Sequence, residues 1–529
     1  MDIMDDWWRG SVTYQIYPRS FQDSNGDGVG DLAGITRRLP LIADLGVDAI
    51  WLSPICPSPM VDMGYDVSDH RAVDPLFGTM ADFDAMLAEA HRLGLRVILD
   101  QVLNHCSSAH PLFQESRRSR DNPKADWFVW SDARPDGTPP NNWQSVFGGP
   151  AWEWDARRFQ YYLHNFMVSQ PDLNFHNPDV QDWALGTLRF WLDRGVDGFR
   201  FDTVNFYFHD RLLRDDAADF RVKDRPAFKT YDMQYHLFSK NQPENLAFLG
   251  RIRGLMDSYG ATVTVGEVGE AHHPIQMMGE YTSGNRLHMA YSFEMMEDRF
   301  SAAFFRATLE SFRQLAPEGW PCWAFSNHDV PRHASRWARF AADPDRFAKL
   351  CAMLLLSFEG SVCLYQGEEL GQTQTDLTLE EVIDPQGIAF WPEDKGRDGC
   401  RTPMVWDGLH PQGDFTEGRP WLPIKAPQRL HAMDGQVNDP QSVRATYKAM
   451  LDLRRHEPAL RTAGTAFLDT PEPILAFRRG DLLCAFNLSP QGVEADLPGE
   501  GETLLAQDGQ WTDGRVRLGP NGAIVARVR

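Results

Sequence analysis

The feature that most constrains the fold is a unit repeated eight times: a short apolar run, a polar end, then a longer stretch. The runs are VTYQIYP (12–18), AIWLSP (49–54), LRVILDQVLNH (95–105), DGFRFD (197–202), VTVGE (263–267), MAYSFE (289–294), WAFSNHD (323–329) and SVCLYQG (361–367). Several are apolar on both faces, as strands of a parallel sheet covered on both sides must be. Stretches such as MADFDAMLAEAHRLG (80–94) and QDWALGTLRFWLDRG (181–195) have the 3.6-residue periodicity of covering helices. Eight strand-helix units predict an α/β fold built on a closed (β/α)8 barrel. An open doubly wound sheet is the alternative, but a nucleotide-binding version would want a GxGxxG turn after a strand, and the sequence has none.

Interruptions in this rhythm mark further units. The Trp-, Asn-, Pro- and Gly-rich stretch containing DWFVWSDARPDGTPPNNWQSVFGG is too long for a plain connection, so 106–172 reads as a small domain inserted after the third strand, over the barrel mouth. The barrel then comprises 1–105 and 173–455, with an irregular stretch from about 370 to 437. From 456 to 529 short alternating runs (ILAFRR, LLCAFNLS, VEADLP, AIVARVR) predict a C-terminal antiparallel β-sandwich.

Charge narrows the possible partners. With 52 Lys+Arg against 74 Asp+Glu, a net charge of -22 repels phosphate backbones and anionic lipid, so neither nucleic acid nor a membrane is expected as partner. Seven cysteines stand singly, with no CxxC pair, which argues against a disulfide framework or a thiolate zinc site and points to a reducing compartment. The start, MDIMDDWWRG, lacks the basic residues and apolar run of a signal peptide, and no stretch approaches the roughly 20 apolar residues that span a bilayer. A cytoplasmic location is the resulting expectation.

In a barrel the chemistry sits at the C-terminal ends of the strands. Asp100, Asn104 and His105 close the third run, Arg200 and Asp202 the fourth, Glu267 the fifth, and His328 and Asp329 the seventh. One Asp after a strand is usually a helix cap. Three converging carboxylates with two histidines and an arginine suit a cationic transition state on a neutral, hydroxyl-rich substrate, as in glycosidic bond cleavage.

The strings DQVLNH (100–105), QPDLN (170–174), GFRFD (198–202), GEV (266–268) and SNHD (326–329), in that order, closely resemble the α-amylase family, glycoside hydrolase family 13. The resemblance implies Asp202 as nucleophile, Glu267 as acid/base and Asp329 as the residue gripping the sugar hydroxyls, with retention of configuration. Asp202 is then expected to stay ionised beside Arg200, about 5 Å from Glu267. His105 and His328 would donate to glucose hydroxyls, and Asp100 would hold Arg200. DMGYDVSDH (62–70) resembles the family's first glucose site, with Tyr65 stacking on the ring and Asp62 binding hydroxyls at its closed end. Arg401, in RTPMVWD, would assist Asp62, making a blind pocket, and Phe147 and Phe166 would wall the aglycone side.

This pattern is most similar to the α-glucosidase branch, which also holds oligo-1,6-glucosidases. Thr203, after the nucleophile, resembles 1,4-preferring members, where 1,6-preferring ones usually have valine. The expected function is therefore a retaining exo-acting α-glucosidase that cleaves short α-1,4-glucosides such as maltose and also transfers glucose. The alternatives are an oligo-1,6-glucosidase, a sucrose-hydrolysing enzyme or a trehalose-synthase-like relative. A non-catalytic sugar- or partner-binding module is a different class, and retention of all three acids argues against it. The partners are short α-glucosides, and the protein is expected as a monomer or homodimer.

After the first strand, DSNGDGVGD places Asp23, Asn25, Asp27 and Asp31 at near-alternating positions, with the Val29 carbonyl between them. Oxygen donors this close suit a hard cation. The loop looks like half of a calcium-binding loop, although Gly34 stands where an EF-hand has glutamate. The family resemblance implies one structural Ca2+ or Mg2+ and no cofactor for chemistry; an ion-free polar turn is the alternative. His272 and His273 have no third ligand at zinc spacing.

Overall fold

The computed structural model describes residues 6–221 and 227–528, so the first five residues of the acidic N-terminal stretch lie outside the described residues. All eight expected strands are present: β1 (Val12–Ile16), β2 (Ala49–Leu52), β3 (Arg96–Gln101), β4 (Gly198–Phe201), β5 (Val263–Val268), β6 (Met289–Ser292), β7 (Cys322–Trp323) and β8 (Ser361–Tyr365). They run parallel in the order β6-β5-β4-β3-β2-β1-β8-β7, and a parallel bridge between Ala290 and Pro321 joins the two ends. Apart from Arg96, every residue of these strands is buried, as a sheet filled from inside and covered by helices requires. Trp51, Ile98, Val265, Tyr291, Cys322 and Cys363 belong to an inner cluster.

The covering helices form where the periodicity places them. Met80–Arg92 starts in a capping box between Thr79 and Asp82 and buries Phe83, Met86, Leu87 and Ala90, one face of the helix. Pro178–Leu192 starts after the Asn177 cap, with Pro178 in the first turn, and buries Val180, Ala184, Leu188 and Trp191.

Between β3 and β4 the inserted unit holds a three-stranded antiparallel sheet of Trp130–Ser131, Gln160–Leu163 and Trp152–Asp155 over its own core of Val129, Trp143, Trp152 and Leu163. Bridges from His105 to Asp172 and from Phe128 to Leu173 fasten its ends beside β3. A second excursion, not anticipated from sequence, follows β4, where Ala217–Ala218 pairs with Gln234–Tyr235. The C-terminal unit is antiparallel, with its six strands hydrogen-bonded in one sheet. Ile474, Leu483, Trp511 and Ile524 belong to its own cluster, while Leu475, Phe477, Cys484 and Val525 join the main barrel core. Among the described residues no helix is long and apolar enough to cross a membrane.

Candidate active site

Register brings the strand ends together. Asp100 on β3 lies directly opposite Arg200 on β4, and Gly266, beside Glu267 on β5, lies opposite Phe201. Arg200 is fully buried and is the hub of the site. Its Nη1 donates to Asp100 Oδ1 (2.8 Å) and to Asp202 Oδ1 (2.8 Å), and its Nη2 lies 2.6 Å from Glu267 Oε1. One guanidinium therefore fixes the expected nucleophile, the expected acid/base and the supporting Asp100, as bidentate geometry permits. Thr203 adopts a left-handed backbone (φ 42°), uncommon for a β-branched residue, and its N–H donates to Glu267 Oε2 at 2.9 Å.

Burial raises the carboxyls of both Asp202 and Glu267. Arg200 opposes the rise, but the charge of Asp329 adds to it at both, with Asp100 contributing at Asp202 and Asp202 itself at Glu267. Each is pushed up to about 7. The Arg200 contact favours the ionised Asp202 that the sequence reading expects, while burial and the neighbouring carboxylates work against it, because adjacent negative charges out of water are costly. Asp329 behaves oppositely. Burial would raise it, yet His328, Arg401 and Arg397 hold it down at about 2.

The glucose-end residues also gather. Tyr65 donates from its hydroxyl to Asp100 Oδ2 (3.0 Å) and stacks on His328 at 5.1 Å. His328 Nδ1 lies 2.8 Å from the Gln15 amide nitrogen, which leaves its N–H on Nε2, 3.2 Å from Asp329 Oδ2. Burial lowers His105 to about 4; its Nδ1 lies 3.0 Å from Asn104 Oδ1, and its Nε2 lies 3.0 Å from the Tyr65 carbonyl and 3.2 Å from the Gln170 amide nitrogen. Phe166 packs against His105 (5.1 Å) and Phe147 lies under Arg397 (5.0 Å), so both aromatics border glucose-end residues rather than only an aglycone wall.

The role expected of Arg401 is corrected. Its Nη2 pairs with Asp329 Oδ1 (2.9 Å) and its Nε donates to the His328 carbonyl (2.7 Å). The guanidinium at Asp62 is that of Arg397, whose Nη2 donates to Asp62 Oδ1 (2.8 Å) and to Asp384 Oδ1 (2.8 Å), while its Nε donates to Asp384 Oδ2 (3.0 Å). Arg397 and Arg401 stand four residues apart in GRDGCRTPMVWD, and spacing alone does not say which reaches Asp62. Two further residues were missed. Gln170, inside the quoted QPDLN, donates to Asp62 Oδ2 (2.9 Å), and Tyr291, a polar tip in the apolar run MAYSFE, bridges Arg200 and Glu267.

These groups line one cavity of about 360 Å3. Asp62, Tyr65, His105, Asp202, Thr203, Glu267, His328, Asp329 and Arg397 face it with Phe147 and Phe166, and Tyr231, Lys240, Glu270 and Glu294 complete its wall. The volume suits a small ligand. Arg401 and Arg200 support the lining from behind.

The loop after β1 is separate. Burial would raise the Asp23 carboxyl, but the Thr416 hydroxyl and the N–H groups of Gly28, Gly26 and Asn25 hold it below the usual range. Asp31 caps the helix Leu32–Leu45 through the Gly34 N–H, and Asp27 Oδ1 accepts from the Val29 N–H. Among the described residues no three His, Cys, Asp or Glu side chains cluster as metal ligands. The donors at this loop are nonetheless all oxygen, with Asn25 and Asp27 exposed at its tip, and that donor chemistry fits a hard cation.

Comparison with known proteins agrees with this geometry. Residues 15–463 match the family described as "Alpha amylase, catalytic domain", and 471–525 match a domain family of unknown function. A "Probable alpha-glucosidase" of Rhizobium meliloti (strain 1021) is 54% identical over 99% of this chain and 97% of that protein, and an "Oligo-1,6-glucosidase" of Heyndrickxia coagulans is 37% identical over 95% and 96%. The crystal structure of an "alpha-glucosyl transfer enzyme" superimposes with a TM-score of 0.96 at 54% identity over 99% of both chains. That of the trehalulose synthase of Pseudomonas mesoacidophila gives 0.89 at 32% identity over 99% of both. With Asp202 and Glu267 held on Arg200 and Asp329 facing the same cavity at the ends of the barrel strands, the chain belongs to the α-amylase family, glycoside hydrolase family 13, and is a glycoside hydrolase of its α-glucosidase branch.

Proposed function

We propose that the protein is a retaining exo-acting α-glucosidase that releases terminal glucose from short α-1,4-linked oligosaccharides such as maltose and also passes glucose to sugar or alcohol acceptors. The observation that carries this reading is the buried Asp62–Arg397 pair in the wall of the catalytic cavity. Charged hydrogen-bonding groups there suit the hydroxyls of a non-reducing glucose, and a cavity of about 360 Å3 suits a short substrate.

In the first step Asp202, ionised, attacks the anomeric carbon while Glu267 gives its proton to the departing glycosidic oxygen. The carbon–oxygen bond to the aglycone breaks as the bond to the Asp202 carboxylate forms. Asp329, held ionised by Arg401 and Arg397, grips the ring hydroxyls as positive charge develops. Glu267, now ionised, takes a proton from water or from an acceptor hydroxyl, which attacks the same carbon and frees Asp202. The cycle starts with Asp202 ionised and the proton on Glu267.

The test is initial glucose release from maltose, isomaltose, sucrose, trehalose and soluble starch, with products resolved by chromatography. Maltose well above isomaltose, with little starch cleavage, is expected. Rapid starch breakdown into mixed oligomers refutes the pocket reading. The second reading, 1,6-glucosidase or sucrose chemistry, is favoured by the name of the oligo-1,6-glucosidase at 37% identity and by a solved structure at 32% identity described as in complex with the substrate sucrose, and the same substrate panel detects it.

We further propose that Asp23, Asn25, Asp27, Asp31 and the Val29 carbonyl take one Ca2+ or Mg2+ in a structural role, supported by their all-oxygen donor set. A reducing, cytoplasmic setting is proposed from the seven cysteines, all free and buried.

A further inference from the structure

Tyr291 packs its ring in the inner apolar cluster of the barrel while its hydroxyl reaches the charged groups at the strand ends. It lies on β6, in register with Glu267 on β5, and is 2% exposed. Its hydroxyl oxygen accepts from Arg200 Nε (3.1 Å) and Nη2 (2.9 Å), and its O–H donates to Glu267 Oε1 (3.0 Å). Its ring shares that cluster with Trp51, Ile98, Val265 and Cys322, and the hydrogen-bond partners of its hydroxyl are Arg200 and Glu267. A phenol that takes two charged N–H donors has one proton to give, and here it goes to the acid/base.

We propose that Tyr291 is a positioning residue for the glycosidic reaction, coupling Arg200 to Glu267 and setting how readily Glu267 gives up its proton. The inference rests on the reading of Glu267 as acid/base. When the glycosidic carbon–oxygen bond breaks, the Glu267 proton moves to the leaving oxygen and the carbon bonds to Asp202. Glu267 is left as a carboxylate, and the Tyr291 O–H, which keeps its own proton, stabilises that carboxylate. Burial drives the Tyr291 hydroxyl well above its ordinary range, with Arg200 opposing, so it stays a donor at working pH. The other groups acting on Glu267 are Arg200 and Asp202 from the end of β4, the Thr203 N–H, Asp329 after β7 and, through Arg200, Asp100 on β3.

The test is Tyr291→Phe, which removes one oxygen and keeps the ring. A hydrogen bond to the carboxylate lowers its pKa, so its loss raises the pKa, and the basic limb of kcat/KM moves to higher pH by roughly one unit. Maltose, whose leaving sugar needs the proton, loses about tenfold in kcat/KM, and a nitrophenyl glucoside, whose leaving group does not, loses less. In a Glu267→Gln background the Tyr291→Phe change costs no further activity on the nitrophenyl glucoside, because there is no carboxylate left to tune. An unmoved basic limb with equal losses on both substrates overturns the proposal, as does a loss that persists undiminished in the Glu267→Gln background. If Glu267→Gln by itself keeps wild-type maltose turnover, the acid/base assignment falls, and the role of Tyr291 falls with it.

Discussion

Arg397 supplies the sharpest test of how the glucose end is built. Its guanidinium serves two carboxylates, Asp62 and Asp384, at 2.8–3.0 Å and lies 3.6 Å from a third, Asp329. Asp62 and Asp384 have side chains only 5% and 0% exposed, so neither gains much from water. Replacing Arg397 with Met keeps most of the stem's volume and removes the charge. Breaking one partner of a buried pair costs about 3–5 kcal/mol of stability, because the partner carboxylates are left buried without their counter-charge. A displaced Asp62 forfeits a charged hydrogen bond to the sugar, worth about 1.5–3 kcal/mol, which is about 10- to 150-fold in kcat/KM. Because that contact acts on bound glucose throughout the reaction, the inhibition constant for free glucose rises by a comparable factor. Arg397→Lys keeps the charge without the fork and falls between the two. The assay is maltose kinetics with and without glucose, alongside thermal unfolding. If kcat/KM stays within about threefold of wild type and glucose inhibits as before, Asp62 does not depend on Arg397 and the reasoning is refuted.

Other expectations follow from the same geometry. The pH profile of kcat/KM is a narrow bell centred near neutrality: it rises as Asp202 ionises and falls as Glu267 loses its proton, with both carboxyls raised to about 7, and a plateau spanning several pH units contradicts this. Thr203→Val removes a hydroxyl 3.4 Å from Asp202 Oδ2 and shifts the maltose-to-isomaltose ratio toward isomaltose, by no more than about 10- to 200-fold; an unchanged ratio in side-by-side kinetics removes Thr203 from linkage selection. Stripping divalent ions with a chelator lowers the thermal midpoint and added Ca2+ restores it, whereas identical midpoints in both buffers count against a cation in the 23–31 loop.

Much of this was legible in the sequence because barrel strands and their polar ends are local signals. The run DGFRFD announces both a buried strand and the Arg200–Asp202 pair, and every barrel strand formed where an apolar run stood. What was illegible depends on reach across the fold. Arg397 and Arg401 differ by four residues, and only the three-dimensional path of the stretch after β8 decides that the first meets Asp62 and the second Asp329. Tyr291 looked like one more aromatic in a strand, because its partners come from β4 and β5. The balance at Asp202 is only half legible, because its closeness to Arg200 is visible in GFRFD but the burial and neighbouring carboxylates that oppose Arg200 are not. The excursion pairing Ala217–Ala218 with Gln234–Tyr235 has strands too short to leave a periodicity.

The central claim is that Asp202 carries the glucosyl group between the two half-reactions, and trapping that intermediate tests it most directly. The protein is incubated with a fluorinated glucosyl fluoride, which slows release of the covalent adduct, then digested and mapped by mass spectrometry. The account predicts one added fluoroglucosyl group on the peptide containing GFRFD, at Asp202, and no adduct in a folded Asp202→Asn variant, which also lacks turnover. A label on another carboxylate, or undiminished maltose hydrolysis by Asp202→Asn, contradicts it.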